Sequence, residues 1–233
     1  MTRKKALKTS VYCLISLCTL YFIAKYTGLL AMYSIPTSSS LPAFGPGDRI
    51  WASNLVTPKR FDHLLFRYHD SVLGRTDTYI FRLCGLPGDE VEIRNGDLYV
   101  NKQNVDKRLE LNLYYLVKTD NPLLLQESFE FDEYSGPIKR DSGILAPLPN
   151  NQLSVLDKHH IPYQRYIVNQ KGEADPGIQA VYNQPWNVDH FGPVQVPEGQ
   201  YFVLGNNRYA AQDSRYIGFV KEDDVVGVMV AKW

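Results

Sequence analysis

The stretch EVEIRNGDLYVNKQ, Glu90 to Gln103, decides the fold. Apolar and polar residues alternate on both sides of Asn95-Gly96, with Val91 and Ile93 before it and Leu98 and Val100 after it. A period of two places each apolar pair on one face of a strand. Asn-Gly supplies the two positive-φ residues that a type I′ turn requires. The stretch therefore reads as a tight antiparallel hairpin, and the same grammar extends outward from it. RIWASNLV (Arg49 to Val56), TYIFRLCGL (Thr78 to Leu86) and VQVPEGQYFVLGNNR (Val194 to Arg208) are rich in β-branched and aromatic residues and bounded by Gly and Pro. DDVVGVMVAKW closes the chain as one more strand. The middle, about residues 107–188, holds short apolar runs (YYLV, GILAPL, QAVYN) broken by Pro and charge. It reads as an inserted region of short strands and loops. Past Asp48 no long periodic helix is written. Residues 33–233 are expected to form an all-β domain, a complex antiparallel sheet or barrel.

Residues 1–32 have a different character. Arg3, Lys4, Lys5 and Lys8 precede the uncharged run Val11 to Ala24. Fourteen helical residues cover only about 21 Å, but Val11 to Met32 covers about 33 Å if Lys25 reaches toward a headgroup, enough for a hydrocarbon core of ~30 Å. Tyr12, Tyr21, Tyr26 and Tyr33 suit the interfaces. A cleaved signal peptide has a similar pattern. No small-x-small cleavage site follows the run, which favours a retained transmembrane helix. The basic end then stays in the cytoplasm and the domain faces outward from the cytoplasmic membrane, with the lipid bilayer as a partner.

Composition excludes several classes. With 25 basic and 25 acidic residues the formal charge is zero, which gives no footing for nucleic acid. Cys13 and Cys18 lie in the apolar segment and Cys84 far away in a strand, so no disulfide or metal set is expected. The histidines (His63, His69, His159, His160 and His190) have no metal-ligand spacing. No metal and no cofactor are expected.

Four stretches together resemble bacterial signal peptidase I, the membrane-anchored serine endopeptidase with a Ser/Lys pair. IPTSSSLPAFGPGD, which follows the apolar segment, is similar to that family's IPSGSMxPTLxxGD. RLCGLPGDEVEIRNGDLYVN is similar to KRVIGLPGDxVxIxNGxLYVN, and VPEGQYFVLGNNR to VPxGxYFVLGDNR. DSRYIGFV, Asp213 to Val220, matches DSRYxGFV. The resemblance runs in order from the anchor to Val220. It implies an antiparallel β domain on a membrane surface that receives signal peptides of exported preproteins.

The resemblance also assigns residues. The nucleophile falls on Ser39, and Thr37 with Ser39 would hold the oxyanion. Tyr33, Ile35, Pro36, Tyr79 and Ile80 match the lining of the substrate pockets. Arg82, Asp213 and Arg215 match structural support around the base. The base itself is missing. The family's lysine precedes the arginine of TYIFRLCG, and that position is Phe81, which accepts no proton. Slipping the alignment by one brings Arg82, which stays protonated and points to the other strand face. The serine that orients the lysine is replaced by Ala211. One reading is a degenerate peptidase that binds signal peptides, with an active paralogous peptidase as a further partner. Another is an active peptidase with a substitute base, for which Lys59, His63 and His69 are nearest in sequence. A third is a non-catalytic membrane-anchored scaffold.

Overall fold

A computed structural model describes residues 3–71, 74–131 and 136–233, with the backbone alone for residues 3–7 and 24–26. The chain runs α1 (Arg3–Tyr26), β1 (Ala31–Ser34), β2 (Arg49–Ser53), β3 (His63–Asp70), β4 (Arg75–Gly85), β5 (Glu90–Arg94), β6 (Asp97–Val100), β7 (Gln103–Asn104) and β8 (Asn112–Val117). It continues through α2 (Pro122–Ser128), β9 (Ile138–Arg140), β10 (Gly143–Pro149), α3 (Ser154–Lys158), β11 (Tyr163–Arg165) and α4 (Pro176–Tyr182). It ends with β12 (His190–Gln195), β13 (Gln200–Leu204), α5 (Ser214–Ile217), β14 (Val220–Lys221) and β15 (Val225–Lys232).

The Asn-Gly hairpin forms as its residues dictate. Arg94 pairs with Asp97, leaving a two-residue loop in which Asn95 (φ 49°) and Gly96 (φ 75°) carry the positive angles of a type I′ turn. This hairpin is the centre of a four-stranded sheet, β12-β5-β6-β7. A larger sheet has the order β1-β2-β15-β3-β4-β13-β14. Its spine is the β3–β4 hairpin, in register from His63 opposite Arg82 to Asp70 opposite Arg75. Alternation along this pair feeds two cores. Leu64, Phe66, Phe81 and Leu83 turn to one face, where they meet Val203 and Val228. Leu65 and Ile80 turn to the other and pack with Ile35, Phe44 and Ile50. Every strand pair in the described sheets is antiparallel.

The middle region is more organised than its sequence suggests. β11-β8-β10-β9 form a third sheet with its own buried cluster, which includes Leu111, Leu113, Leu125, Ile144, Leu148 and Leu156. The runs YYLV and GILAPL lie in β8 and β10, as read. QAVYN is helical instead, in α4. Asp175 caps that helix by accepting from Gly177 and Ile178 N–H, and Pro176 fits its first turn. From β1 onward the chain is thus mainly β, with four short α-helices and two 3-10 turns among the described residues.

The N-terminal segment departs from expectation at its end. The helix stops at Tyr26, and Ala31 and Met32 already belong to β1. Gly28 takes φ 72°, and Asn54 holds the turn by donating its side-chain amide to the Thr27 carbonyl and its backbone N–H to that of Gly28. A helical span to Met32 is therefore cut short. Among the described residues no helix is long and apolar enough to cross a membrane. The side chains of Arg3, Lys4, Lys5 and Lys25, on which the topology reading leans, lie outside the described residues.

Candidate functional site

The Ser-rich loop closes on itself before it presents any side chain. Ile35 N–H donates to the Asp48 carbonyl (2.9 Å) and Gly47 N–H to that of Ile35 (3.0 Å). The Asp48 carboxylate accepts Gly45 N–H (2.9 Å) and pairs with Lys232 at 2.8 Å, tying the loop to β15. Ser40 is buried, with its hydroxyl on the Ile80 carbonyl at 3.3 Å. Asn207 grips the loop from below: its N–H donates to the Ser39 carbonyl (3.0 Å) and its amide to that of Ser38 (3.3 Å). Gly205 makes this approach possible. A Cβ there would stand 2.3 Å from the Ala211 Cβ and 2.8 Å from the Ser39 carbonyl oxygen.

Ser39 lines a cleft of ≈ 430 Å³ shared with Ile35, Pro36, Tyr79, Ile80 and Phe81. Thr37, Arg75, Asp77 and Ala210 stand at the same cleft. Of the residues the family resemblance assigns to substrate pockets, four line the cleft and Tyr33 does not. Tyr33 pairs with Ile50 and packs instead against the core around Ile35 and Phe44. The Ser39 hydroxyl lies 3.1 Å from that of Thr37, its sole hydrogen-bond partner among the described residues. Phe81 is 4% exposed and Ala211 6%, and both belong to one buried apolar cluster with Leu64, Phe66 and Leu83. That wall offers no proton acceptor.

The substitute candidates are elsewhere. Lys59 is exposed, and His69 lies far along the β3–β4 hairpin with Nδ1 3.1 Å from the Thr76 hydroxyl. His63 sits opposite Arg82, edge-on to Phe44 at 4.7 Å. None of the three lines the Ser39 cleft. Burial, with the Arg82 guanidinium as a second cause, pushes the His63 imidazole down to about 3, so it is a poor base as well as a misplaced one. The native state then holds His63 neutral while the unfolded chain binds a proton below its ordinary pKa of about 6.5. Stability is full above that pH and falls as pH drops toward 3. Urea titrations should show a loss of at most about 2 kcal/mol between pH 7 and pH 5 from this one group. His63→Leu should flatten the slope in that window, and an unchanged slope would refute the assignment.

Behind the loop lies a buried ionic scaffold. Asp213 and Arg215 are 0% and 1% exposed and pair in the side-on manner, with Nε–Oδ1 and Nη2–Oδ2 both 2.8 Å. Asp213 also accepts Gly205 N–H at 2.9 Å. Arg215 donates to the Arg208 carbonyl, and Arg208 forms a second buried pair with Asp106 at 2.6 and 2.9 Å. Arg208 Nε returns to the Gly205 carbonyl at 3.1 Å. The two pairs thus hold the Gly205–Asn207 segment that carries Ser39. Arg82 holds the same segment from β4, donating to the Asn206 side chain, and also ties it to the Phe61 carbonyl, both at 2.9 Å. Sequence reading missed Asp106, Asn207 and Arg208. The GNNR stretch was the available signal for the last two, but nothing local marks Asp106, which is 102 residues from its partner.

The family model described as signal peptidase, peptidase S26, matches residues 7–233. Signal peptidase I of Buchnera aphidicola subsp. Baizongia pistaciae is 26% identical, covering 86% of this chain and 68% of that protein. Signal peptidase I of Aquifex aeolicus is 28% identical, covering 88% and 75%. Signal peptidase IB of Staphylococcus aureus is 24% identical, covering 97% and 87%. A family match over nearly the whole chain, on a serine loop held in this way, places the chain in the signal peptidase family, peptidase S26.

Proposed function

We propose that this protein binds the signal-peptide segment of exported preproteins in the Ser39 cleft beside a bilayer, and that it cleaves them far more slowly than a peptidase with an intact serine–lysine pair. One observation carries the reading: Ser39 shares its cleft with Phe81, which is buried in one apolar cluster with Ala211, and its hydroxyl bonds only to Thr37 among the described residues. A serine hydroxyl needs a neighbouring base to attack a carbonyl. The cleft keeps what binding needs, an apolar lining of Ile35, Pro36, Tyr79 and Ile80 around an open hydroxyl pair. Thr37 and Ser39 hold a carbonyl oxygen there, and Asp213, Arg215 and Arg82 keep the frame.

The bilayer part rests on exposed apolar surface. Val11, Leu14, Ile15, Leu17, Leu20 and Phe22 are exposed around α1, an all-round apolar pattern that needs cover. Leu30, Met32, Leu55, Val56, Val230 and Trp233 are exposed on or beside the strands β1, β2 and β15 that follow it. The segment ending with α1 at Tyr26 is the anchor in this reading, the chain from β1 onward the extracytoplasmic domain, and 107–188 the family-variable insertion. Reconstituted into phospholipid vesicles, the full-length protein should float with them and retain a signal-peptide-bearing preprotein. It should yield no cleaved product in the time an intact relative needs to finish. Rapid cleavage abolished by Ser39→Ala would overturn the catalytic part, and failure to float would overturn the bilayer part.

A further inference from the structure

The Ser39 cleft runs along a bare strand edge. β13 leaves β4 at Arg82, so the stretch from Arg75 to Phe81 pairs only with β3 among the described residues. Tyr79, Ile80 and Phe81 of that stretch line the cleft. An extended polypeptide laid along the edge turns alternate backbone groups toward β4 and the others away from it. Groups turned away also need partners once the cleft covers them. The serine loop has little backbone left to offer. Ile35 spends its N–H on the Asp48 carbonyl and its own carbonyl on Gly47 N–H, and Pro36 has no N–H. The Ser38 and Ser39 carbonyls are held by Asn207. Most charged and hydroxyl side chains of the cleft are also engaged: Arg75 with Asp77 at 2.7 Å, and Thr37 with Ser39 at 3.1 Å.

Gln212 is different. It is the one carboxamide among the residues lining the cleft, it is exposed, and its side chain has no hydrogen-bond partner among the described residues. Its neighbours on both sides are fixed. Ala211 is buried in the apolar cluster with Phe81, and Asp213 is buried in its pair with Arg215 while it caps α5. A side chain with two donors and an acceptor thus projects into the cleft from an immobilised backbone. We infer that Gln212 holds the main chain of a polypeptide in the Ser39 cleft, through hydrogen bonds between its carboxamide and a peptide group turned away from β4. This deepens the reading of the cleft given above and rests on it. A carboxamide matches a peptide group in both donor and acceptor and reads no side chain. The contact is therefore indifferent to sequence, and side-chain selection is left to the apolar lining of Ile35, Pro36, Tyr79 and Ile80.

The test uses the full-length protein in detergent and a fluorescent signal-peptide segment. Gln212→Ala and Gln212→Met should each weaken binding about 3- to 10-fold, the range of one net hydrogen bond, with the denaturation midpoint unchanged because the position is exposed. A series of the same peptide, with one amide at a time replaced by an ester, locates the contact. One ester should weaken binding to the native protein and cost nothing further in either variant, while the other esters keep their effects. Native affinity in Gln212→Met, or an ester series with the same effects in native and variant proteins, overturns the role of Gln212 and leaves the cleft reading standing. A native protein that does not bind the segment at all overturns both.

Discussion

Changing Phe81 to lysine and Ala211 to serine together should raise preprotein cleavage about 10²–10⁴-fold above the native level, the contribution typical of a positioned general base. The site has the other parts: a hydroxyl pair 3.1 Å apart, an apolar cleft, and a loop fixed by Asn207. Phe81 lines the cleft together with Ser39, so an amine introduced there enters that cleft from within the apolar cluster. Burial disfavours the ammonium form and so supplies a neutral amine able to accept the proton. The serine introduced at 211 gives that amine a hydrogen-bond partner, without which it must be desolvated unpaired. Phe81→Lys alone should therefore gain less activity and lose stability. Adding Ser39→Ala to the double variant should return cleavage to background. The measurement is initial rate on a model preprotein in vesicles, with folding checked by denaturation. A native protein that already cleaves well, and a double variant no faster than it, would remove Phe81 as the cause of low activity.

Asp213→Ala should cost about 3–5 kcal/mol, a large part of a total stability of roughly 5–15 kcal/mol. The reason is the partner left behind. Arg215 is 1% exposed and would keep a buried guanidinium without its carboxylate. Gly205 N–H would also lose its acceptor, and with it the segment that grips the Ser39 carbonyl. Asp213→Leu with Arg215→Met should cost less than the single change, because removing both charges leaves no uncompensated ion. Equilibrium unfolding of the three proteins gives the comparison. A single variant within about 1 kcal/mol of native, or a double variant worse than the single, would contradict a buttressing role for this pair.

What the residues alone dictated is local. The Asn95-Gly96 turn, the strands around it, and β13 and β15 follow from φ preferences and a period of two, both short-range properties. The serine loop and the β4 strand that carries Phe81 were equally legible, since each carries its pattern within a few residues. Where a competing short-range signal was overlooked, the reading failed: QAVYN became a helix because Asp175 and Pro176 start one. The N-terminal helix ended at Tyr26 because Gly28 turns the chain at φ 72°, a local signal, although Asn54, which holds that turn, comes from far along the sequence.

Only the tertiary structure decided the rest, because it depends on which distant segments meet. Asp106 joins Arg208 across 102 residues, and the Asn207 amide reaches the Ser38 carbonyl across 169. The middle region owns a core because β8 and β10 pair, and no periodicity announces that partnership. Phe81 on β4, which lines the Ser39 cleft, is buried in one apolar cluster with Ala211 after β13. Sequence names those two residues separately, while contact between them requires the β4–β13 pairing, whose loop-closure entropy is offset only by the whole sheet.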